Sequence, residues 1–342
     1  MKILVGMSGG LDSTYAAYKL IEEGHSVEGA LVVMHEHTDI DGAREASEAL
    51  GIKLHVIDAS ERFLAVKENF VSEYSLGRTP NPCIVCNPLV KFRALADFAK
   101  ENGFDRIATG HYARVVEVND GEKLLYTLMR SRDQRKDQTY MLYRLPRDIL
   151  SILILPLGDE LKSEIKQKAQ NLGMKAASKR ESQEICFIPD GDYASYIEGI
   201  RGVFPEGDFV LSDGRVVGKH KGIIHYTVGQ RKGLGVAFGE RIFVSRIDPM
   251  TNSILLSTEG SYTDEVEVRD INFTGIQPPE AGAKLRAEVK LRYLAKPVSA
   301  TVCFDGKGGA TLKLDEAQKA VAPGQSAVVY DADTLLFGGS IE

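Results

Sequence analysis

The stretch Ile3-Leu4-Val5-Gly6-Met7-Ser8-Gly9-Gly10-Leu11-Asp12-Ser13-Thr14 restricts this chain more than any other. An apolar run ends in a loop with two adjacent glycines, and a helical pattern begins at Tyr15, Ala16, Ala17 and Leu20. The spacing predicts strand, glycine loop and helix, an order that aims backbone N–H groups at a phosphate. Gly9 and Gly10 allow a tight turn and close approach of a bulky anion. Ser8 and Ser13 add hydroxyl donors, and Asp12 is placed to hold a metal ion on the same phosphates. No Gly-Lys-Ser/Thr follows, so this is not a Walker loop, and the third glycine of the dinucleotide fingerprint is missing. An ordinary βα turn is the plain alternative.

Beyond the loop, Val27 to Met34 reads as a buried strand, Ala43 to Leu50 as a helix, and Lys53 to Ile57 as a third strand. That alternation predicts an α/β fold with a doubly wound parallel sheet, whose ligands bind at the carboxyl ends of the strands. The glycine loop and Met34 then face one cleft, with Met34 as plain core the alternative. In Thr79-Pro80-Asn81-Pro82-Cys83-Ile84-Val85-Cys86-Asn87 the two prolines force an extended or turn geometry. Cys83 and Cys86 are spaced to point toward one ligand or toward each other. Arg106 to Tyr112 reads as a strand entering a glycine turn, which brings Gly110 and His111 to the same cleft. A helix is expected from Val90 to Lys100 and another from Lys162 to Leu172, the latter with apolar positions Leu161, Ile165, Ala169 and Leu172 on one face.

From Gly207 the pattern changes to short alternating segments bounded by Gly, Asp and Pro. A small β domain is expected there, then a second from about Ile271 with strands near 287–292, 299–304, 310–314 and 327–330, suggesting a small barrel. The division is 1–200, 201–270 and 271–342, and 342 residues suit two or three domains.

A composition of 43% hydrophobic and 26% charged residues is that of an ordinary soluble protein. No run approaches a membrane span, and Gly-Met-Ser-Gly-Gly interrupts the apolar start, so neither a membrane partner nor secretion is expected. Four cysteines make no disulfide framework in a chain this long, which favours a cytoplasmic setting with functional thiols. The net charge of −6 argues against a general nucleic-acid binder. Basic residues nevertheless cluster at Arg130, Arg132, Arg135 and Lys136, and again from Arg215 to Lys232, enough to hold RNA in one orientation.

The run Ser8 to Ser13 resembles the pyrophosphate loop of the ATP pyrophosphatase (PP-loop) superfamily, with its adenine nucleotide hydrolase-like fold. The resemblance narrows further along. Thr79-Pro80-Asn81-Pro82 with Cys86-Asn87 and Lys91-Phe92, Thr109-Gly110-His111-Tyr112-Ala113-Arg114, Lys136-Asp137-Gln138-Thr139-Tyr140 and Ser182-Gln183-Glu184-Ile185-Cys186-Phe187-Ile188 occur in this order. Together they resemble the tRNA-specific 2-thiouridylases, the MnmA family. The resemblance implies an ATP-dependent sulfurtransferase that thiolates C2 of the wobble uridine of tRNA, with Mg²⁺ on the nucleotide. It implies nucleotide contacts from Gly6, Met7, Ser8, Gly9, Gly10, Leu11, Asp12, Ser13, Met34 and Gly110. It implies tRNA contacts from Asn81, Pro82, Cys83, His111, Lys136, Asp137, Gln138, Arg292, Tyr293 and Gln325, with both β domains holding the tRNA. On the residues alone, a solvated charged turn at Lys136 to Gln138 and a structural histidine at His111 stay open as the plain alternatives, although the strand end beside Gly110 favours a functional His111.

In the same pattern Cys186 carries a persulfide and Cys86 releases its sulfur, so a persulfide- or sulfide-donating partner is implied. Thiolate is the competent form, which favours cysteines near helix ends and basic groups. The better-known members have Asp where this chain has Cys83. Cys83, Cys86 and Cys186 could then hold a 4Fe–4S cluster by three thiolates, with Cys83 as redox partner of Cys86 or as a tolerated substitution the alternatives. Cys303 reads as a small buried hydrophobe. Two rival classes remain: a small-molecule synthetase with the same loop, which needs no paired thiols, and a non-catalytic RNA-binding protein.

Overall fold

The computed structural model describes residues 1–121, 123–178 and 185–342. The first part runs β1 (Lys2–Gly6), α1 (Leu11–Glu22), β2 (Ser26–Val33), α2 (Ile40–Ala49), β3 (Leu54–Asp58), α3 (Ser60–Ser75), α4 (Pro82–Cys86), a π turn (Asn87–Lys91), α5 (Phe92–Glu101) and β4 (Arg106–Ala108). There follow a hairpin of β5 (Arg114–Asp120) and β6 (Lys123–Met129), then α6 (Thr139–Leu142), α7 (Arg147–Leu150), β7 (Leu153–Ile154), α8 (Lys162–Asn171) and α9 (Tyr193–Arg201).

Five of these strands form a parallel sheet in the order β3-β2-β1-β4-β7. Ile3, Leu4 and Val5 are wholly buried, because β1 is central and covered on both faces. Strand order reverses between β1 and β4, so the loops that follow these two strands flank the crevice. The expected helix at 162–172 forms, and its Ile165 and Ala169 pack against Tyr15 and Ala16 of α1. Pro82 does not break helical structure: it opens α4, where its missing N–H costs nothing. Asn81 accepts from the Cys83 N–H at 3.1 Å and caps that helix.

The four-stranded sheet that follows comprises β8 (Gly207–Leu211), β9 (Val216–His220), β10 (Phe243–Asp248) and β11 (Ser253–Ser257), ordered β10-β11-β8-β9. The chain ends in β12 (Tyr262–Phe273), β13 (Lys284–Lys290), β14 (Val298–Phe304), β15 (Ala310–Lys319), β16 (Ser326–Asp331) and β17 (Thr334–Ile341). These six close into a barrel, because β17 pairs back onto β12. Two of the six were not among the expected strands: β12, which runs through position 271, and β17.

The Cys303 expectation is corrected by strand alternation. Val302 and Phe304 point into the barrel, so Cys303 falls on the outer face and is half-buried. The hairpin brings another departure. It lies within the first 200 residues, yet β6 pairs with β17 through Met129 and Thr334. The Thr127 hydroxyl donates to Leu335 O at 2.6 Å, and the barrel sheet is thereby extended to eight strands.

Candidate nucleotide and thiol site

The loop after β1 is built to stay open. Gly9 has φ +72°, and a Cβ there would lie 2.5 Å from the Gly42 carbonyl carbon of α2. Gly10 is the N-cap of α1 and offers no side-chain cap, so the first N–H groups of that helix face the crevice. The Ser13 and Thr14 hydroxyls donate to Gly10 O at 3.1 and 2.9 Å and fix the turn, while Ser8 N donates to Ser13 Oγ at 3.1 Å. Ser8 is exposed. Met7 is buried, and its N–H is spent on Ala30 O at 2.8 Å. Gly6 and Leu11 bracket the loop at the ends of β1 and α1. Gly110 is present for closeness: a Cβ would meet Asp12 C at 2.5 Å and Ser13 N at 2.7 Å, so no other residue lets the β4 loop lie on the start of α1.

Asp12 is not a free carboxylate. Lys162 Nζ donates to both its oxygens at 2.6 and 2.7 Å, and the Tyr112 hydroxyl donates to Oδ1 at 2.8 Å. Sequence reasoning missed both partners. Lys162 stands 150 residues from Asp12, and only the seating of α8 on α1 brings them together.

The thiols are reached from the neighbouring strand. Cys86 closes α4, is buried, and its Sγ lies 3.5 Å from Met34 Sδ at the end of β2. Cys83, one turn earlier, is exposed, as is Cys186. Cys186 is held beside Phe187, whose ring packs edge-on against Phe63 and Phe70 of α3 at 5.4 and 5.5 Å. Residues Ser182 to Glu184 of that motif lie outside the described residues. Asn81 reaches Met141 Sδ at 3.3 Å, and Pro82 is buried.

The electrostatics run against a primed thiolate. Burial pushes the Cys86 thiol up to about 11, with Cys83 and Cys186 adding to the rise and Lys91 opposing it. Desolvation of the Cys186 sulfur by the protein atoms around it, although the residue keeps an exposed side, also raises that thiol, with Cys83 adding and Lys91 again opposing. The expectation that basic groups prime these sulfurs is therefore corrected: desolvation outweighs the ammonium. All four cysteines are free thiols. Among the described residues no group of three or more His, Cys, Asp or Glu could hold a metal ion. Cys83, Cys86 and Cys186 interact electrostatically but, as placed, are not among any such group, so the described geometry does not present an iron–sulfur site. A Mg²⁺ ion needs less, because one carboxylate plus nucleotide phosphates is an ordinary donor set for it, and Asp12 fits that part.

His111 shares a 2.8 Å hydrogen bond with Thr109 Oγ1 and packs on Phe92. Desolvation, aided by Lys91, pushes its pKa down to about 3, so it is neutral in the folded protein near pH 7. In the unfolded chain a histidine charges near pH ~6.5. As pH falls from there toward 3, the unfolded state binds the proton first, and stability is lost on acidification. The slope from this one residue reaches about 1.4 kcal/mol per pH unit. His111→Asn is expected to flatten it, as read by urea unfolding at a series of acidic pH values; identical slopes would refute the assignment.

The other expected tRNA residues collect at the joint with the barrel. Asp137 is buried, accepting from Ser131 N at 3.0 Å and from the Thr139 hydroxyl at 2.6 Å. Burial raises its pKa. Gln138 clamps Tyr112: its Oε1 accepts from Tyr112 N at 2.9 Å, and its own N–H donates to Tyr112 O at 2.8 Å. The side chains of Asp137 and Gln138 thus face inward, and Lys136 is half-buried beside them. Gln325 donates to Thr79 O at 2.5 Å, just ahead of the cysteine-bearing helix. Arg292 is exposed, and Tyr293 lies 6.1 Å from the Tyr140 ring.

A parallel sheet with an uncapped two-glycine loop at its reversal point defines a nucleotide-binding domain of the PP-loop class. Family models match in series: tRNA methyl transferase HUP domain over residues 1–190, tRNA methyl transferase PRC-barrel domain over 195–258, and Aminomethyltransferase beta-barrel domain over 263–341. The "tRNA-specific 2-thiouridylase MnmA" of Acetivibrio thermocellus is 42% identical over 100% of this chain and 99% of its own length. Those of Clostridioides difficile and Clostridium perfringens are each 40% identical over 100% of this chain and 98% of theirs. The chain belongs to the MnmA family of tRNA-specific 2-thiouridylases.

No helix among the described residues is long and apolar enough to cross a membrane.

Proposed function

We propose that this chain is an ATP-dependent tRNA sulfurtransferase that replaces O2 of the wobble uridine with sulfur and releases AMP and pyrophosphate. The observation that supports the reading is the 3.5 Å contact between Cys86 Sγ and Met34 Sδ, a thiol at the end of β2, the strand that pairs with β1 and so neighbours the glycine loop's strand. The free N–H groups at the start of α1 and the Ser8 hydroxyl bind the phosphates, and the Met34 strand end takes the adenine. Asp12, together with the phosphates, would hold a Mg²⁺ ion, which would supply charge neutralisation for the nucleotide. The uridine O2 attacks the α phosphate and pyrophosphate leaves, which makes C2 electrophilic.

Cys186, exposed, takes a sulfane sulfur from the persulfide of a donor protein, whose own thiol leaves. Cys86 then attacks Cys186 Sγ, which forms a Cys86–Cys186 disulfide and expels hydrosulfide. The hydrosulfide adds to the activated C2 and displaces AMP, and an external thiol reductant restores both cysteines. Asn81, Pro82, Cys83 and His111 border the base, a neutral His111 serving as a hydrogen-bonding wall. The target base leaves its stack to get there, at a cost of a few kcal/mol. Residues 201–270 and 271–342 hold the tRNA, with Arg292 and Tyr293 on its backbone and bases. Lys136, Asp137, Gln138 and Gln325 set the angle between barrel and catalytic cleft. The setting is cytoplasmic.

The test is direct. Purified chain, unmodified tRNA, ATP, Mg²⁺ and a sulfide or persulfide source are incubated, and the tRNA nucleosides are analysed by mass. Appearance of 2-thiouridine, with pyrophosphate release that requires tRNA, is the expected result. Pyrophosphate release independent of tRNA would point to a small-molecule synthetase instead.

A further inference from the structure

The glycine loop has an electrostatic deficit. Between Gly6 and Thr14 there is no Lys or Arg, and the one charged residue is Asp12. A triphosphate carrying several negative charges would enter beside a carboxylate with only backbone and hydroxyl donors to meet it. Like charges a few ångströms apart in a desolvated cleft repel by several kcal/mol, so a cation must come from elsewhere in the fold.

Lys162 is that cation by position. It is the first residue of α8, whose Ile165 and Ala169 lock onto Tyr15 and Ala16 of α1. Its backbone N–H donates to Asp133 Oδ2 at 3.0 Å, which fixes the root of the side chain. The side chain is 13% exposed and its ammonium spans both Asp12 oxygens at 2.6 and 2.7 Å, 5.7 Å from the centre of the Tyr112 ring. Asp12 is the more open partner at 32%, so the pair faces the crevice on the carboxylate side. A cation held this way neutralises the one carboxylate of the resting loop, and it does so on the second residue of α1, beside the helix N-terminus to which a phosphate would bind.

We propose that Lys162 is a catalytic residue of nucleotide activation: its ammonium passes from Asp12 to the β and γ phosphates and stabilises the departing pyrophosphate. Asp12 keeps its Tyr112 hydrogen bond and would then be available to a metal ion on the nucleotide. In the step itself the uridine O2–Pα bond forms and the bond from Pα to the bridging oxygen breaks. The electron pair of the broken bond goes to pyrophosphate, whose new negative charge meets the ammonium. The inference rests on the reading that ATP occupies this loop.

Calorimetric titration of the full-length chain with ATP, pyrophosphate and AMP separates this from a merely structural ion pair. Lys162→Met is expected to weaken ATP and pyrophosphate by about 10- to 100-fold, the worth of one charge-assisted contact, and to leave AMP unchanged. Lys162→Arg keeps the charge and is expected to retain most of the pyrophosphate affinity. Equal losses for all three ligands, or undiminished pyrophosphate binding by Lys162→Met, would overturn the assignment. A wild-type chain that binds pyrophosphate through Lys162 yet leaves tRNA unthiolated would sustain it while sinking the thiolation reading.

Discussion

Cys86→Ala and Cys186→Ala are each expected to bring tRNA thiolation to background, a fall on the order of 10³-fold or more. Pyrophosphate release in the presence of tRNA should survive, because neither sulfur belongs to the loop after β1. The double variant should be no worse than either single one, since two groups acting in one relay do not add. Nucleoside mass analysis reads the first quantity and a coupled phosphate assay the second. Thiolation that persists in either single variant would remove that cysteine from the relay. The wild-type sulfur-transfer rate in a single turnover should also climb with pH through the range below about 11, because burial holds the Cys86 thiol protonated. A flat profile would mean that a different group supplies the nucleophile.

Gly110→Ala carries the second large effect. Its new methyl carbon would lie 2.5 Å from Asp12 C and 2.7 Å from both Asp12 O and Ser13 N, all backbone atoms of the first turn of α1. That turn cannot give way, because Ala16, one turn later, is wholly buried. Destabilisation of about 1–3 kcal/mol is expected, typical of an overpacked interior. ATP binding should suffer beyond that, since the displaced atoms carry the N–H groups aimed at phosphate. Gly199→Ala in α9 is the control: nothing lies within 4 Å of its added carbon, and alanine favours a helix. Urea midpoints and ATP affinity for both variants decide the matter, and equal behaviour would refute the packing argument.

Much of this site was legible before any coordinates. The Gly9-Gly10 loop announces itself because strand, turn and helix signals fall within a dozen residues, all of them local. That the glycine loop and the strand end at Met34 share one edge was expected from a topological rule for parallel sheets; the contact of Cys86 with Met34 was not, because Cys86 lies on helix α4 and not at a strand end. What stayed hidden depends on distant packing. Lys162 opens an amphipathic helix and looks like any solvated lysine until α8 is seated. Asp137 sits among charged neighbours, and only the barrel shows that its carboxylate is enclosed. Strand β12 was obscured by its own composition, since Asp264, Glu265, Glu267, Arg269 and Asp270 dilute the alternation to which Val266 and Val268 belong.

The crossing of the β5–β6 hairpin onto β17 bears on how the molecule could be divided. Tyr140, Tyr143, Leu125 and Leu128 are all buried, and the two tyrosine hydroxyls meet Ser326 O at 2.9 Å and Ser326 Oγ at 3.1 Å. Cutting the chain between residues 201 and 207 would strip this apolar seam bare and leave an unpaired strand edge, a recipe for aggregation. The catalytic part and the barrel are therefore not separable in this protein. A protease nick in that linker should yield two fragments that co-purify, and neither should be obtainable as a well-behaved monomer by itself.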